Sequence, residues 1–211
     1  MNTEIKNAIQ AADSEAQYDE SAKRLLAQKY VLAHILVRTV EEFQGMEIEK
    51  VVSLIEGDPY ISKVPAASGL TNRDRNVEGK RIVGLNTEAG ERNEGLVRFD
   101  IIFYVRMRNG LAQMIINVEA QKDEPGSYQI LNRAIFYVSR LISSQKERDF
   151  VKSNYNDIKT VYSIWVCMNM PENSMCHIHL TKEDLLGKHN WKGNLNLVNI
   201  VMIGLTNALP Q

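Results

Sequence analysis

The 211-residue sequence has few cysteines, no long apolar run and almost no net charge. Its two cysteines, Cys167 and Cys176, do not form a C-x-x-C pair, so we expect no disulfide framework and a reducing, cytoplasmic compartment. Residues 1–20 are polar and acidic, without the basic start and apolar stretch of an export signal. No later apolar run is long enough to span a bilayer, so we expect no membrane partner.

The formal net charge of −1 provides no global attraction to nucleic acid. This weighs against a DNA coat protein, which needs a strongly basic surface. An enzyme whose acidic metal site offsets a basic groove can still have a net charge close to zero. Any contact with DNA must then come from a local patch.

The apolar pattern predicts a single α/β domain over residues 18–211, preceded by a flexible polar tail at residues 1–17. Apolar residues at three- and four-residue spacing predict a helix over residues 19–45. A second helix is predicted from Ile48 to the breaker at residues 57–59.

The rest of the chain is predicted to form a central mixed β-sheet flanked by helices. An irregular segment at residues 60–80 comes first. The strands that we expect after it cover residues 81–86, 96–107, 111–121, 160–169, 176–180 and 195–205, with a helix at residues 128–148 between the third and the fourth.

Alternation of apolar and polar residues places Asp100 on the less apolar face of the second predicted strand. It places Glu119 and Gln121 together on one face of the third. Because the Asn109-Gly110 pair predicts a tight hairpin turn, these two strands should be antiparallel neighbours. Asp100 and Glu119 are therefore expected to lie close together.

Two carboxylates buried in a sheet lose several kcal/mol of hydration unless they are paired. A divalent cation is the expected partner of Asp100 and Glu119, and hard oxygen ligands favour Mg²⁺ or Mn²⁺ over Zn²⁺. Gln121 is a candidate to orient an attacking water or to contact a phosphate. The pattern alone leaves a second interpretation open, in which both acids are surface residues of an edge strand.

The helix predicted at residues 128–148 carries a polar stripe opposite its apolar one. Arg133 lies nearest the strand end and has two donors for a phosphate, and Tyr137 and Arg140 continue the stripe as candidates for nucleic-acid contact. An ordinary solvated helix face is the alternative. The residues expected to form the buried stripe are Leu131, Ala134, Ile135, Val138, Leu141 and Ile142.

Two other groups of residues give weaker evidence of a binding site, one for zinc and one for phosphate. Cys167, Cys176, His177 and His179 match no standard zinc-finger spacing. The glycines between residues 84 and 95 do not form a phosphate-binding loop.

Six stretches together carry a family resemblance, namely Tyr18-Asp19-Glu20, Ile55-Glu56-Gly57, Gly84-Leu85-Asn86-Thr87-Glu88, Phe99-Asp100-Ile101, Asn117 through Asp123, and Arg133 through Tyr137. With them the sequence resembles the PD-(D/E)XK nuclease superfamily over about residues 18–205. Within the superfamily it resembles the Rpn-like bacterial branch, the PD-(D/E)XK nuclease family transposases.

This resemblance implies a restriction-endonuclease-like core and a Mg²⁺- or Mn²⁺-dependent DNA endonuclease associated with transposition or recombination, with a homodimer as one expected assembly. Asp100 matches the acid of the second strand, and Glu119 matches the acid of the (D/E)-x-K triplet. For the first acid of the family pattern we choose Glu56, and its competitors are Glu41, Glu42 and Glu88.

Most superfamily members have lysine at the position of Gln121, whereas the Rpn-like branch resembles this chain in having glutamine. Lys122 follows directly, but strict alternation turns it to the opposite face. The missing charge keeps a second hypothesis open, a nuclease-like module that binds DNA or a protein without cutting. A nuclease acting on RNA is a third.

Overall fold

The computed structural model describes residues 21–61, 88–90, 96–98, 100–107, 113–122, 125–146, 149–150 and 152–206. The predicted tail at residues 1–17, the predicted strand at residues 81–86, most of the irregular segment and the Asn109-Gly110 turn lie outside these residues. Across the described ranges, no helix combines the length and the apolar character needed to cross a membrane.

In the part of the chain that the structure describes, the helices α1 (Lys29–Thr39) and α2 (Ile48–Leu54) precede the main sheet. Residues 21–26 are helical as well, so the single helix predicted over residues 19–45 is divided. The break falls at Gln28, whose backbone is extended at φ −67° and ψ 126°. No glycine or proline marks this position, which is why the apolar periodicity alone predicted one continuous helix.

In the described residues, eight strands and one further α-helix follow. They are β1 (Ile55–Ile61), β2 (Glu88–Gly90), β3 (Leu96–Arg98), β4 (Ile101–Arg106), β5 (Gln113–Gln121), α3 (Ile130–Ser143), β6 (Val161–Cys167), β7 (Ser174–His179) and β8 (Val198–Gly204). Six strands form one sheet in the order β1-β4-β5-β6-β8-β7, and β2 pairs with β3 separately. The pairs β5–β6 and β6–β8 are parallel and the others antiparallel. The predicted mixed sheet flanked by helices is confirmed.

The sheet separates two apolar layers. Helices α1 and α2 pack on one face, and α3, the crossover between the parallel strands β5 and β6, packs on the other. Alternation along β4 and β5 places Ile101, Phe103, Val105, Met114, Ile116 and Val118 toward α1 and α2. Ile102 and Ile115 face α3. The two predicted faces of these strands are therefore confirmed.

Strand β1 occupies residues for which the sequence predicted the end of a helix. Helix α2 ends at Leu54, and the chain continues as a strand through Gly57 and Pro59. Gly57 has a φ of +61°, and the register with β4 shifts between Glu56 and Tyr60. Proline and glycine are tolerated here because β1 is an edge strand with a bulge, where a ladder donor can be missing.

The predicted strand over residues 96–107 is divided into β3 and β4 by a bend at Asp100. The backbone N–H of Asp100 donates to a side-chain oxygen of Glu119, 3.0 Å away. This N–H thus donates to a side-chain carboxylate and not to a backbone carbonyl of the neighbouring strand. The departure from regular strand structure coincides with the candidate site.

Candidate active site

The side chains of Asp100 and Glu119 meet where β4 begins and β5 approaches its end. The Asp100 N–H donates to Glu119 Oε1 over 3.0 Å, and the Ala120 N–H donates to Asp100 Oδ2 over 3.0 Å. Each carboxylate is therefore held by a backbone N–H of the segment that carries the other. The structure brings these two predicted site residues together, although no regular ladder joins their backbones.

Glu119 is buried, with 1% of its surface exposed, on a strand in the interior of the sheet. Burial raises the pKa of Glu119 well above its ordinary value, and the charge of Asp100 raises it further. The N–H of Asp100 and the guanidinium of Arg133 oppose this rise in pKa. The interpretation of Glu119 as a surface residue on an edge strand is wrong. Its carboxylate needs a proton or a cation at this place.

Two cationic side chains face the two acids. Lys23 Nζ lies 2.9 Å from Asp100 Oδ1, and both side chains are mostly buried, at 17% and 15% exposure. Arg133 Nη2 lies 3.9 Å from Glu119 Oε2. The ionised forms of these four groups have charges that cancel, which offsets part of the cost of removing two carboxylates from water.

The guanidinium of Arg133 is held by aromatic residues. Its Nη1 donates to the hydroxyl of Tyr128 over 3.0 Å, and its Nη2 donates to the hydroxyl of Tyr137 over 2.9 Å. It also lies over the rings of Tyr137 and Trp165, 4.9 and 5.3 Å from their centroids. Hydrogen bonds and cation–π contacts of this kind orient the planar guanidinium, which still keeps 31% of its side chain exposed.

Gln121, the last residue of β5, lies next to this cluster. Its Oε1 accepts a hydrogen bond from Arg133 Nη1 over 3.4 Å, so the amide and the guanidinium are neighbours. Lys122, one residue further, is exposed. The side chain that follows Glu119 on the same face of β5 and contacts Arg133 is therefore a neutral amide.

Helix α3 is rotated relative to the predicted polar stripe. Tyr137 and Arg140 are buried, at 9% and 6% exposure, whereas Leu131 and Ile135 are exposed. The prediction that Arg140 continues a solvent-facing stripe with Arg133 is wrong, and so is the predicted burial of Leu131 and Ile135. For Tyr137 the physical reason is its hydrogen bond with Arg133, whose guanidinium faces Glu119.

Glu56, chosen from the sequence as the first acid, lies elsewhere. It is the Cα partner of Tyr104 on β4, about 13 Å along the strand from Asp100 at roughly 3.3 Å per residue. Its carboxylate accepts a hydrogen bond from Arg106 Nε. The structure therefore does not bring Glu56 to the Asp100–Glu119 pair.

Three residues of the cluster were not identified from the sequence. Lys23 lies in the first helical segment, Trp165 is the Cα partner of Glu119 on β6, and Tyr128 precedes α3. None belongs to a motif with a fixed spacing to Asp100 or Glu119. The parallel register of β5 and β6, a tertiary feature, is what would have indicated Trp165.

Comparison with known proteins gives no further identification. No family model matches the chain, and no curated protein or solved structure matches it either.

Proposed function

We propose that this protein is a divalent-metal-dependent phosphodiester hydrolase, a DNA endonuclease of the PD-(D/E)XK type with a restriction-endonuclease-like core. The observation that carries the proposal is the pair Asp100–Glu119, two carboxylates held against each other at a bend in the sheet. Structural residues are seldom arranged this way, because like charges destabilise each other when buried. Cation-binding sites commonly place carboxylates together in this way.

The donor set fits Mg²⁺ or Mn²⁺. Both carboxylates offer hard oxygens, and a carboxylate oxygen that already accepts one hydrogen bond keeps a second lone pair. Among the described residues no three His, Cys, Asp or Glu side chains form a metal-binding group. Asp100 and Glu119 would therefore hold the ion with water and phosphate oxygens, as magnesium sites commonly do. When bound, the ion would lower the pKa of a water and neutralise charge on the phosphate.

Arg133 and Gln121 supply the remaining functions of the proposed site. The guanidinium of Arg133 is partly exposed and oriented by Tyr128 and Tyr137, so its positive charge can attract a phosphate at its exposed edge. The amide of Gln121 lies within 3.4 Å of that guanidinium and is suited to orienting a water or a phosphate oxygen. With a chain charge of −1, this local group provides the attraction to DNA.

The test is nicking of supercoiled plasmid in Mg²⁺ or Mn²⁺. We expect Glu119→Gln and Asp100→Asn to abolish nicking, because each removes a charged ligand while keeping the side-chain shape. Glu183→Gln, which changes an exposed acid outside the site, is the matched control and should nick normally. Nicking that persists in both site variants, or in EDTA, would refute the proposal.

A second candidate function is a nuclease-like module that binds DNA or a protein without cutting it. The observation that favours it is the ion pair of Lys23 with Asp100, since this ammonium occupies one side of a proposed metal ligand. DNA binding that is unaffected by Mn²⁺, together with no nicking under any metal condition, would support the module. An association with transposition, self-association of the chain and a cytoplasmic location stay predictions.

A further inference from the structure

Strand β7 forms one edge of the six-stranded sheet. It pairs with β8 along its whole length, from Ser174 opposite Gly204 to His179 opposite Asn199. Apart from Ile178, which is half-buried, each of its residues is exposed. Among the described residues no strand other than β8 pairs with β7. Its outer backbone N–H and C=O groups therefore form an edge to which a further strand can add.

The opposite edge of this sheet is protected against such pairing. Strand β1 contains Gly57, Pro59, two acidic residues, Glu56 and Asp58, and a break in its register with β4. Proline, charge and bulges are the features that keep edge strands from joining. Strand β7 has the sequence Ser-Met-Cys-His-Ile-His, without proline, lysine or acid, and its register with β8 is unbroken. Of the two edges, β7 is therefore the one that can accept another strand.

Large apolar side chains are exposed beside this edge. Met175 on β7 and Leu180, which follows the strand, have 57% and 50% of their surface exposed. In the segment that joins β7 to β8, Leu185, Leu186 and Trp191 are exposed as well. A group of exposed apolar residues next to an open strand edge is typical of a surface that contacts protein.

A second copy of the chain fits this edge. Residues that lie opposite each other in an antiparallel pair point to the same face of the sheet, so a two-fold axis between two β7 strands must pass through a residue. With the axis at His177, Cys176 lies opposite Ile178 of the second copy, and Met175 lies opposite its His179. No permanently charged side chain of β7 then meets a like charge.

Charge complementarity favours this axis. Continued beyond the ends of β7, the same pairing places Lys182 near Glu172 of the second copy, and both residues are exposed. The two-fold axis repeats the pair, so the contact occurs twice in one dimer. An axis at Cys176 would instead place Glu172 near the apolar Leu180.

We propose that β7 is a dimerisation edge, at which two copies of the chain join their sheets antiparallel about a two-fold axis at His177. The inference goes beyond the proposed nuclease function and does not depend on it, because β6 and β8 separate β7 from the strand that carries Glu119.

The first measurement is the molar mass of the purified full chain by sedimentation equilibrium at increasing concentration. We expect the mass to rise from 24.0 kDa toward twice that value. Met175→Lys adds the charge that natural edge strands use against pairing, and should weaken dimerisation about tenfold. Leu25→Lys, at a side chain that is also 57% exposed but lies outside β7, is the matched control and should dimerise like wild type. Urea unfolding verifies that each variant is folded.

The second measurement exchanges the two charges. Lys182→Glu should weaken dimerisation about fivefold, since two exposed ion pairs are lost. Adding Glu172→Lys to that variant should restore the wild-type affinity, because the pair between the two copies is formed again with its signs reversed. A double variant that dimerises no better than Lys182→Glu would overturn the axis at His177.

The third measurement uses Cys176, which is exposed, whereas the other cysteine, Cys167, is buried. With the axis at His177 the two copies of Cys176 are diagonal neighbours, roughly 7–8 Å apart. This separation exceeds the reach of a disulfide but suits a short bismaleimide. We expect the bismaleimide to produce a covalent dimer of wild type and none of Cys176→Ser. A disulfide-linked dimer formed by mild oxidation would place the axis at Cys176 and overturn the pairing proposed.

The remaining outcomes decide the interface itself. A chain that stays at 24.0 kDa at every concentration overturns the dimer and leaves the edge to a strand of another protein. A dimer that Met175→Lys does not weaken, or that Leu25→Lys weakens equally, overturns β7 as its interface. Plasmid nicking does not enter these measurements, so the failure of the nuclease proposal would be seen separately.

Discussion

Trp165 on β6 and Glu119 on β5 are Cα partners across a parallel strand pair, and both are buried. The indole N–H of Trp165 donates to the hydroxyl of Ser163 over 3.0 Å, and the ring lies beneath the guanidinium of Arg133. In this place the carboxylate of Glu119 loses contact with water, which disfavours its charged form. Burial is therefore the largest cause of the raised pKa of Glu119.

The raised pKa of Glu119 predicts how folding stability depends on pH. An acid whose pKa rises on folding binds more protons in the folded state than in the unfolded state. The free energy of unfolding therefore falls as pH rises from the unfolded-state pKa of Glu119, about 4.3, through its raised folded-state pKa. Glu119→Gln should remove this loss. Without metal, the variant should gain stability relative to wild type as pH rises from 4 to 7, and this pH-dependent gain should vanish near pH 4.

Urea unfolding between pH 4 and pH 8 in EDTA measures this difference. Glu49→Gln is an informative control, because the Tyr30 hydroxyl lowers the pKa of the exposed Glu49 and the sign is reversed. That variant should lose a little stability above pH 4. A Glu119→Gln protein whose stability relative to wild type is the same at pH 4 and pH 7 would contradict the raised pKa.

The hydroxyl of Tyr137 is predicted to contribute to stability through Arg133. Its oxygen accepts from Arg133 Nη2 over 2.9 Å in a mostly buried setting. Tyr137→Phe leaves a partly exposed guanidinium N–H without this acceptor, and water can replace the hydroxyl in part, so we expect a loss of about 1 kcal/mol in the free energy of unfolding. Tyr30→Phe removes an exposed hydroxyl and should cost less than about 0.5 kcal/mol. Equal losses in both variants would refute the role of Tyr137.

Arg133 is predicted to contact a DNA phosphate. Arg133→Met should weaken DNA binding similarly for all sequences and reduce the slope of log affinity against log salt by about one. Arg38→Met removes the same charge from α1, where Arg38 donates to the His34 carbonyl outside the site. Fluorescence anisotropy at several salt concentrations compares the two. The same salt slope in both variants would show that Arg133 makes no phosphate contact.

Gln121→Lys is predicted to keep or raise nicking. A lysine at position 121 places an ammonium next to the proposed phosphate site, where it would stabilise the negative charge that develops on the phosphate. The gain should be limited, since the new charge lies beside Arg133 and the 3.4 Å hydrogen bond to that residue is lost. A folded Gln121→Lys protein that binds Mn²⁺ and DNA but nicks more slowly than wild type would contradict this prediction.

The sequence by itself determined the parts of this protein that depend on local periodicity. A strand exposes alternate side chains to opposite faces, so the pattern of β4 and β5 was enough to assign Ile101, Phe103 and Val105 to one layer and Ile102 and Ile115 to the other. The same alternation put Glu119 with Gln121. The mixed sheet followed because the predicted helix after β5 provides the crossover that a parallel pair needs.

Tertiary structure alone decided which face of α3 is buried and which charges meet Asp100 and Glu119. Helix α3 has apolar residues on more than one side, so its periodicity allowed a rotation in which Tyr137 and Arg140 are inside and Ile135 is outside. The contact of Lys23 with Asp100 has no local signal either, because it joins segments that are distant in sequence. Packing and electrostatics between segments distant in sequence determine such pairs, so the local periodicity of the sequence does not predict them.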